Sequence, residues 1–274
     1  FFAPSHVVPF LAPGPALTVV HDLAFERFPD AYRAPDRAYL RLTTAWAERR
    51  CARIITVSQS TAADLAALHG VDPARIDVVP LGGGERVPAL RGAQARNRVR
   101  ELGVDGPYVL HVGRVEARKN QITALAAVER LGSLQLVCAG PVADHRLGAQ
   151  LAASERCLVL GPVSPAALDA LYAGAEALAF PSLYEGFGLP VLEAMKRGLP
   201  VATSRVSSLP EVGGAAALYI DDPADGEALA GILERAMAER PERARLGRAQ
   251  AARFTWQRTA SGVAAVMRRL LGLP

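Results

Sequence analysis

Two glutamates eight positions apart, Glu185 and Glu193, flank a loop that holds Gly186 and Gly188. A carboxylate accepts two hydrogen bonds from vicinal hydroxyls, which is how sugars and riboses are held. Glycines lack a Cβ, so backbone N–H groups there can approach a ligand closely. The loop runs into a helix, whose amino end favours an anion. Some seventy residues earlier, "GRVEARKN" (113–120) gathers Arg114, Arg118 and Lys119 around Gly113. A planar guanidinium fork beside a point-charge ammonium suits a diphosphate. Each feature alone has a plainer use: a solvated basic turn, a carboxylate on a helix surface, or an acidic residue complementing a helix dipole. Taken together they fit a nucleotide-linked sugar, with phosphates on the cations and loop amides and hydroxyls on the carboxylates.

These residues need elements that bring them to one edge. From residue 108 the chain alternates short apolar runs with helical stretches. The runs are "YVLHV" (108–112), "LQLVCA" (134–139), "CLVL" (157–160), "ALAF" (177–180), "PVAT" (200–203) and "ALYI" ending at 220. Near-continuous apolar strands separated by helices predict a parallel sheet covered on both faces. Six such strands with right-handed crossovers predict a doubly wound domain of order 3-2-1-4-5-6. Strands 1 and 4 are then neighbours where the winding reverses, and ligands bind outside the carboxyl ends of strands there. The loops leaving those two strands are 113–120 and 181–190. From about Ala224 the tail reads as helical throughout.

The earlier part reads as three strands, in "LTVVHDL", "RIITV" and "RIDVVP". Ser58 or Ser60 caps a helix that Gly70 ends. "LGGGERVPALRG" is the linker, with the boundary at Leu81–Arg91, so the domains are 1–90 and 91–274. Three strands are few for an α/β domain. The chain does not begin with Met, and the expectation is that the first half of this domain is absent.

The composition narrows the class. Hydrophobic residues make up 50% and charged residues 21%, which supports a core and argues against disorder. Three irregularly spaced cysteines argue against a disulfide framework or metal site and suit a reducing cytosol. The net charge is +4, but the arginines are scattered without aromatic interleaving, so no nucleic-acid partner is expected. A mild attraction to an anionic membrane surface is compatible with that charge. No stretch approaches a membrane span, and the start lacks the basic region of a signal peptide. The expected location is cytoplasmic, with peripheral contact at the inner face of the membrane as a variant.

"VLHVGRVEARKN", the segment from "LGPVSPAALDALYAGA" through "SLYEGFGLPVLEAMKRGLPVATSRVSSLPEV", and "FTWQRTA" resemble the group-1 (family 4) glycosyltransferases, in the same order. Glu185 and Glu193 correspond to that family's E-x7-E signature. "TVVHDLAFERFPDAY" and "ARIITVSQSTAADL" are similar to its acceptor-side segments, especially those of bacterial mannosyl- and hexosyltransferases of polysaccharide assembly. The resemblance implies an α/β, GT-B-type fold of two Rossmann-like doubly wound domains, the first incomplete and the second complete with a parallel six-stranded sheet. It implies that Arg114 and Lys119 bind the donor diphosphate near Gly113. Glu185 and the amides of Gly186, Phe187, Gly188 and Leu189 would contact the transferred sugar and its phosphate. Glu193 would bind the ribose hydroxyls, Val163 would lie along the base, and His21 would touch the donor sugar.

The same resemblance implies retention at the anomeric centre, no metal and no resident cofactor. The donor is a nucleoside-diphosphate sugar, with GDP-mannose the first candidate. The acceptor is a glycan, a lipid-linked or a small-molecule hydroxyl. Three other readings compete. A nucleotide-sugar-binding module without turnover shares the donor site. A phosphorylase or epimerase of the same fold is another: a phosphorylase of the pyridoxal-phosphate kind needs a cofactor lysine, and only Lys119 and Lys196 exist, while the intact GRxxxxK and E-x7-E sets argue against an epimerase. A dehydrogenase needs a G-x-G-x-x-G that neither half supplies.

Overall fold

A computed structural model describes residues 1–11, 14–83 and 93–273. By its internal contacts the chain divides into two units. The first comprises Phe1–Gly83, Glu185–Phe187 and Phe254–Pro274, and the second Gly84–Tyr184 and Gly188–Arg253. The proposed linker residues 84–91 lie outside the described residues.

The first unit carries four strands, β1 (Phe2–Ala3), β2 (Leu17–Val20), β3 (Arg53–Thr56) and β4 (Ile76–Val78), in that spatial order and all parallel. Three strands were expected. The fourth, β1, is two residues long and lies among prolines, so it leaves no pattern of alternation. Its helices are α1 (Ala24–Arg27), α2 (Ala34–Arg50) and α3 (Gln59–His69). Ser58 caps α3 by accepting from the Thr61 amide at 3.1 Å, and Gly70 ends it in the left-handed region at φ 69°. The core gathers Val20, Leu23, Phe25, Ile54 and Leu65.

The second unit follows the expected alternation. Its elements are α4 (Ala93–Glu101), β5 (Tyr108–Val112), α5 (Gln121–Leu131), β6 (Gln135–Ala139), α6 (His145–Ala152), β7 (Cys157–Gly161), α7 (Pro165–Gly174), β8 (Ala177–Phe180), α8 (Leu189–Arg197), β9 (Val201–Ser204), α9 (Leu209–Gly213), β10 (Leu218–Ile220), α10 (Gly226–Ala238) and α11 (Arg240–Ala251). The last helix, α12 (Trp256–Leu271), belongs to the first unit. There Arg269 pairs with Asp77 of β4, and the Thr259 hydroxyl donates to the Pro80 carbonyl at 2.8 Å.

The six strands of the second unit are parallel, in the order β10-β9-β8-β5-β6-β7. Numbered within the unit this is 3-2-1-4-5-6, so β5 and β8 are neighbours and the winding reverses between them. One face is closed by Leu125 and Val128 of α5 with Leu229 and Leu233 of α10, packed on Val109, Leu136 and Ala179. Each such buried aliphatic side chain is worth about 1.5–3 kcal/mol of transfer free energy.

Candidate functional site

The carboxyl ends of β5 and β8 release loops 113–120 and 181–184, and three hydrogen bonds tie those loops together. The Leu183 amide donates to the Arg118 carbonyl at 2.8 Å, Arg118 Nη1 to the Tyr184 carbonyl at 2.8 Å, and Asn120 Nδ2 to the Pro181 carbonyl at 3.0 Å. Arg118 Nη2 also reaches Glu116 at 2.7 Å, with both side chains largely buried. Arg118 therefore fastens the site, whereas the sequence offered it as one of three phosphate-binding cations.

The other two cations differ from it. Arg114 is exposed, and its guanidinium makes no hydrogen bond or ion pair among the described residues. Lys119 is half-buried, its Nζ 5.5 Å from the centroid of the Phe180 ring. Gly113, at φ 149°, lies against Lys119: a Cβ there would sit 3.8 Å from Lys119 Cε. Gly140, where the chain leaves β6, has φ 147°, and a Cβ on it would lie 2.1 Å from the Gly113 carbonyl oxygen. Only glycine fits at that approach.

Beneath these loops lies a residue that sequence reasoning passed over. His111 of β5 is fully buried and stacks on Phe180, with ring centroids 5.6 Å apart. Its Nδ1–H donates to the Ala179 carbonyl at 3.0 Å, which leaves Nε2 as an acceptor without a hydrogen-bond partner among the described residues. Burial, reinforced by the Lys119 charge, pushes its pKa down to about 3, so the ring is neutral at physiological pH. A histidine inside an apolar strand reads as core, which hid it.

On the far side of the β8 loop, Gly188 starts α8 at φ 102° with no side-chain cap, and Pro190 lies in the first turn. Leu189 opens the helix and Glu193 stands one turn in, half-buried. Glu193 Oε2 accepts a hydrogen bond from the Tyr172 hydroxyl at 2.9 Å. Val163 lies between the end of β7 and the Ser164 cap of α7, at the same carboxyl edge of the sheet. The second unit thus brings together Gly113, Arg114, Lys119, Val163, Gly188, Leu189 and Glu193 along one sheet edge.

The remaining predicted residues, His21, Glu185, Gly186 and Phe187, belong to the first unit. Gly186 is packed against backbone there: a Cβ would meet the His21 carbonyl oxygen at 2.1 Å. Its own carbonyl accepts from the Ser58 hydroxyl at 2.7 Å. Glu185 is buried, at 7% exposure, and Phe187 stands edge-on to Phe254 at 5.8 Å. His21 is exposed and donates through Nε2 to the Pro4 carbonyl at 2.9 Å. His6, which the sequence gave no reason to single out, shares this neighbourhood. Burial lowers its pKa, Asp22 opposes that, and the charge of His21 adds to it. Among the described residues no group of three or more His, Cys, Asp or Glu side chains is placed to hold a metal ion, and no helix is long and apolar enough to cross a membrane.

Residues 94–253 match the family model described as glycosyl transferases group 1, and residues 2–82 match glycosyltransferase family 4. Among similar proteins, the MMP alpha-(1->4)-mannosyltransferase of Mycolicibacterium hassiacum is 34% identical over 81% of this chain and 55% of its own length. The O-antigen chain mannosyltransferase B of Escherichia coli is 32% identical over 88% of this chain and 67% of its own. The chain thus spans about half to two thirds of the length of these relatives. The crystal structure of Anabaena HepE in complex with UDP and glucose superposes with a TM-score of 0.78 at 20% identity, covering 92% of this chain and 71% of that one. That likeness shows the fold, which is α/β of GT-B type.

Proposed function

The chain belongs to the group 1 glycosyltransferases, and on that premise we propose that it moves a hexosyl group from a nucleoside-diphosphate sugar to an acceptor hydroxyl. The observation that carries this is the sheet edge at β5 and β8. A guanidinium unpaired among the described residues, an ammonium beside a glycine, and a helix bearing Glu193 without a side-chain cap share the place where doubly wound sheets bind ligands.

In this reading Arg114, Lys119 and the amides of Gly188 and Leu189 take the diphosphate, and Glu193 takes the ribose hydroxyls. As the bond from the anomeric carbon to the phosphate oxygen breaks, negative charge gathers on the departing diphosphate. The two cations stabilise that charge more than the ground state, which lowers the barrier. The acceptor oxygen forms the new bond on the same face, and its proton passes to the leaving phosphate oxygen. The stereochemistry is then retained, and the cations meet the charge of the leaving group without a metal. The sugar-contacting roles of His21, Glu185, Gly186 and Phe187 are proposed on the family resemblance alone.

The relatives named as mannosyltransferases make a mannosyl donor the first to try. The test is incubation with GDP-mannose and UDP-glucose, with hexose acceptors, reading nucleoside diphosphate release and the anomeric proton of the product by NMR. A product with the donor's anomeric configuration supports the proposal. An inverted product overturns the retaining step, and donor binding without any turnover identifies a nucleotide-sugar-binding module instead.

A further inference from the structure

Glu193 does not stand alone on its helix. Tyr172, at 1% exposure, projects from α7 and its hydroxyl donates to Glu193 Oε2 at 2.9 Å. Arg197, one turn further along α8, donates through Nη1 to the Glu193 carbonyl at 3.0 Å and lays its guanidinium over the Tyr172 ring at 4.7 Å. Its Nε reaches Asp169 of α7 at 2.8 Å, the two side chains being 15% and 3% exposed. Two helices are thus clamped around one carboxylate.

A buried phenol needs an acceptor. Buried Tyr108 donates to the Leu171 carbonyl at 2.7 Å, and half-buried Tyr219 to the Gly214 carbonyl at 2.8 Å. Tyr172 instead uses the carboxylate of the residue that the function reading assigns to ribose. Burial and the adjacent Glu193 charge raise the phenol's pKa well above its ordinary value, so the hydroxyl keeps its proton and donates. A carboxylate has about four acceptor positions. One hydrogen bond from Tyr172 leaves three, enough for two vicinal hydroxyls.

We propose that Tyr172 is a positioning residue for nucleotide capture: its hydroxyl holds the Glu193 carboxylate in the rotamer that receives the two ribose hydroxyls. The role rests on the donor-site reading of Glu193. Its effect is preorganisation, since a glutamate already fixed loses less rotamer freedom when the ligand arrives. Arg197, itself held by Asp169, covers a face of the phenol ring.

The test titrates the 274-residue protein, its Tyr172→Phe, Glu193→Ala and double variants, with GDP, UDP and their 2′-deoxy forms. Phenylalanine keeps the ring under Arg197 and removes only the hydroxyl. The wild type is expected to prefer the ribonucleotide by about tenfold or more, as hydrogen bonds to a charged group imply. Tyr172→Phe is expected to cut that preference at least threefold, and to change nothing further in the Glu193→Ala background. A ratio of two affinities on one sample does not depend on how much of the sample is folded, so a destabilised variant still reports. If the wild type binds but shows no preference for ribose, the Glu193 reading falls and the role of Tyr172 with it. If the wild type discriminates and Tyr172→Phe does so equally well, or loses both nucleotides in proportion, Glu193 stands and Tyr172 is merely structural.

Discussion

Arg118 Nη1 lies 2.8 Å from the carbonyl oxygen of Tyr184, a bond that joins the loop leaving β5 to the loop leaving β8. With its second amino group on Glu116, Arg118 is committed to holding the site in shape, while Arg114 in the same loop is exposed and unpaired among the described residues. Two arginines four positions apart therefore differ: one fastens the loops, and the other is the one proposed to meet the diphosphate. Arg118→Ala is expected to cost about 2 kcal/mol of stability, because it strands a largely buried carboxylate and carbonyl. Arg114→Ala is expected to stay within about 0.5 kcal/mol of wild type and to weaken nucleoside diphosphate binding about tenfold. Urea denaturation and titration calorimetry on the two variants check both halves. Equal losses of stability would remove the distinction.

His111 gives the second unit a sensitivity to acid. Its folded pKa of about 3 lies below the ordinary 6.5. Between those values the unfolded chain binds the proton and the folded chain does not, so stability falls as pH drops below 6.5. The slope is at most about 1.4 kcal/mol per pH unit from this group. Hydrogen exchange of the β5 amides between pH 4 and 7, in wild type and His111→Phe, measures it. The variant should show the flatter profile whatever its absolute stability.

His69 acts in the opposite direction in the first unit. Its Nδ1 is 2.7 Å from Glu48 and its Nε2 is 3.7 Å from Glu26. The Glu48 contact raises its pKa above 6.5, against the pull of burial, and Arg41 nearby opposes it. The folded state therefore holds the proton more tightly. The stabilisation is complete below 6.5 and is lost as pH rises through the folded value. His69→Asn should remove this alkaline decline, read by exchange of the α3 amides between pH 6 and 9. A decline that persists in the variant would place its cause elsewhere.

The strands of the second unit and their spatial order were legible because each is a short apolar run between helices with Ser, Asp or Gly at their ends. Ser58 accepts the expected backbone N–H, and the structure shows Ser164 and Asp225 capping their helices in the same way. Helix α2 was not legible. It buries only Thr44 and Ala47 fully, so it shows no apolar stripe. Of the site, the glycines and charges were visible by type and spacing, but their division of labour was not. The fastening by Arg118, the neutral His111 and the Tyr172–Glu193 pair depend on which side chains meet across loops and helices far apart in sequence. A single sequence carries no signal for that.

The central claim is that Glu193 holds the ribose of a nucleotide donor at the edge of β5 and β8. Calorimetric titration of the wild type and Glu193→Ala with GDP, UDP, GDP-mannose and UDP-glucose tests it most directly. The account predicts that one nucleotide series binds, and that the substitution weakens both its members by about 10- to 100-fold, the loss of hydrogen bonds to a charged group. Equal affinity in wild type and variant would contradict it.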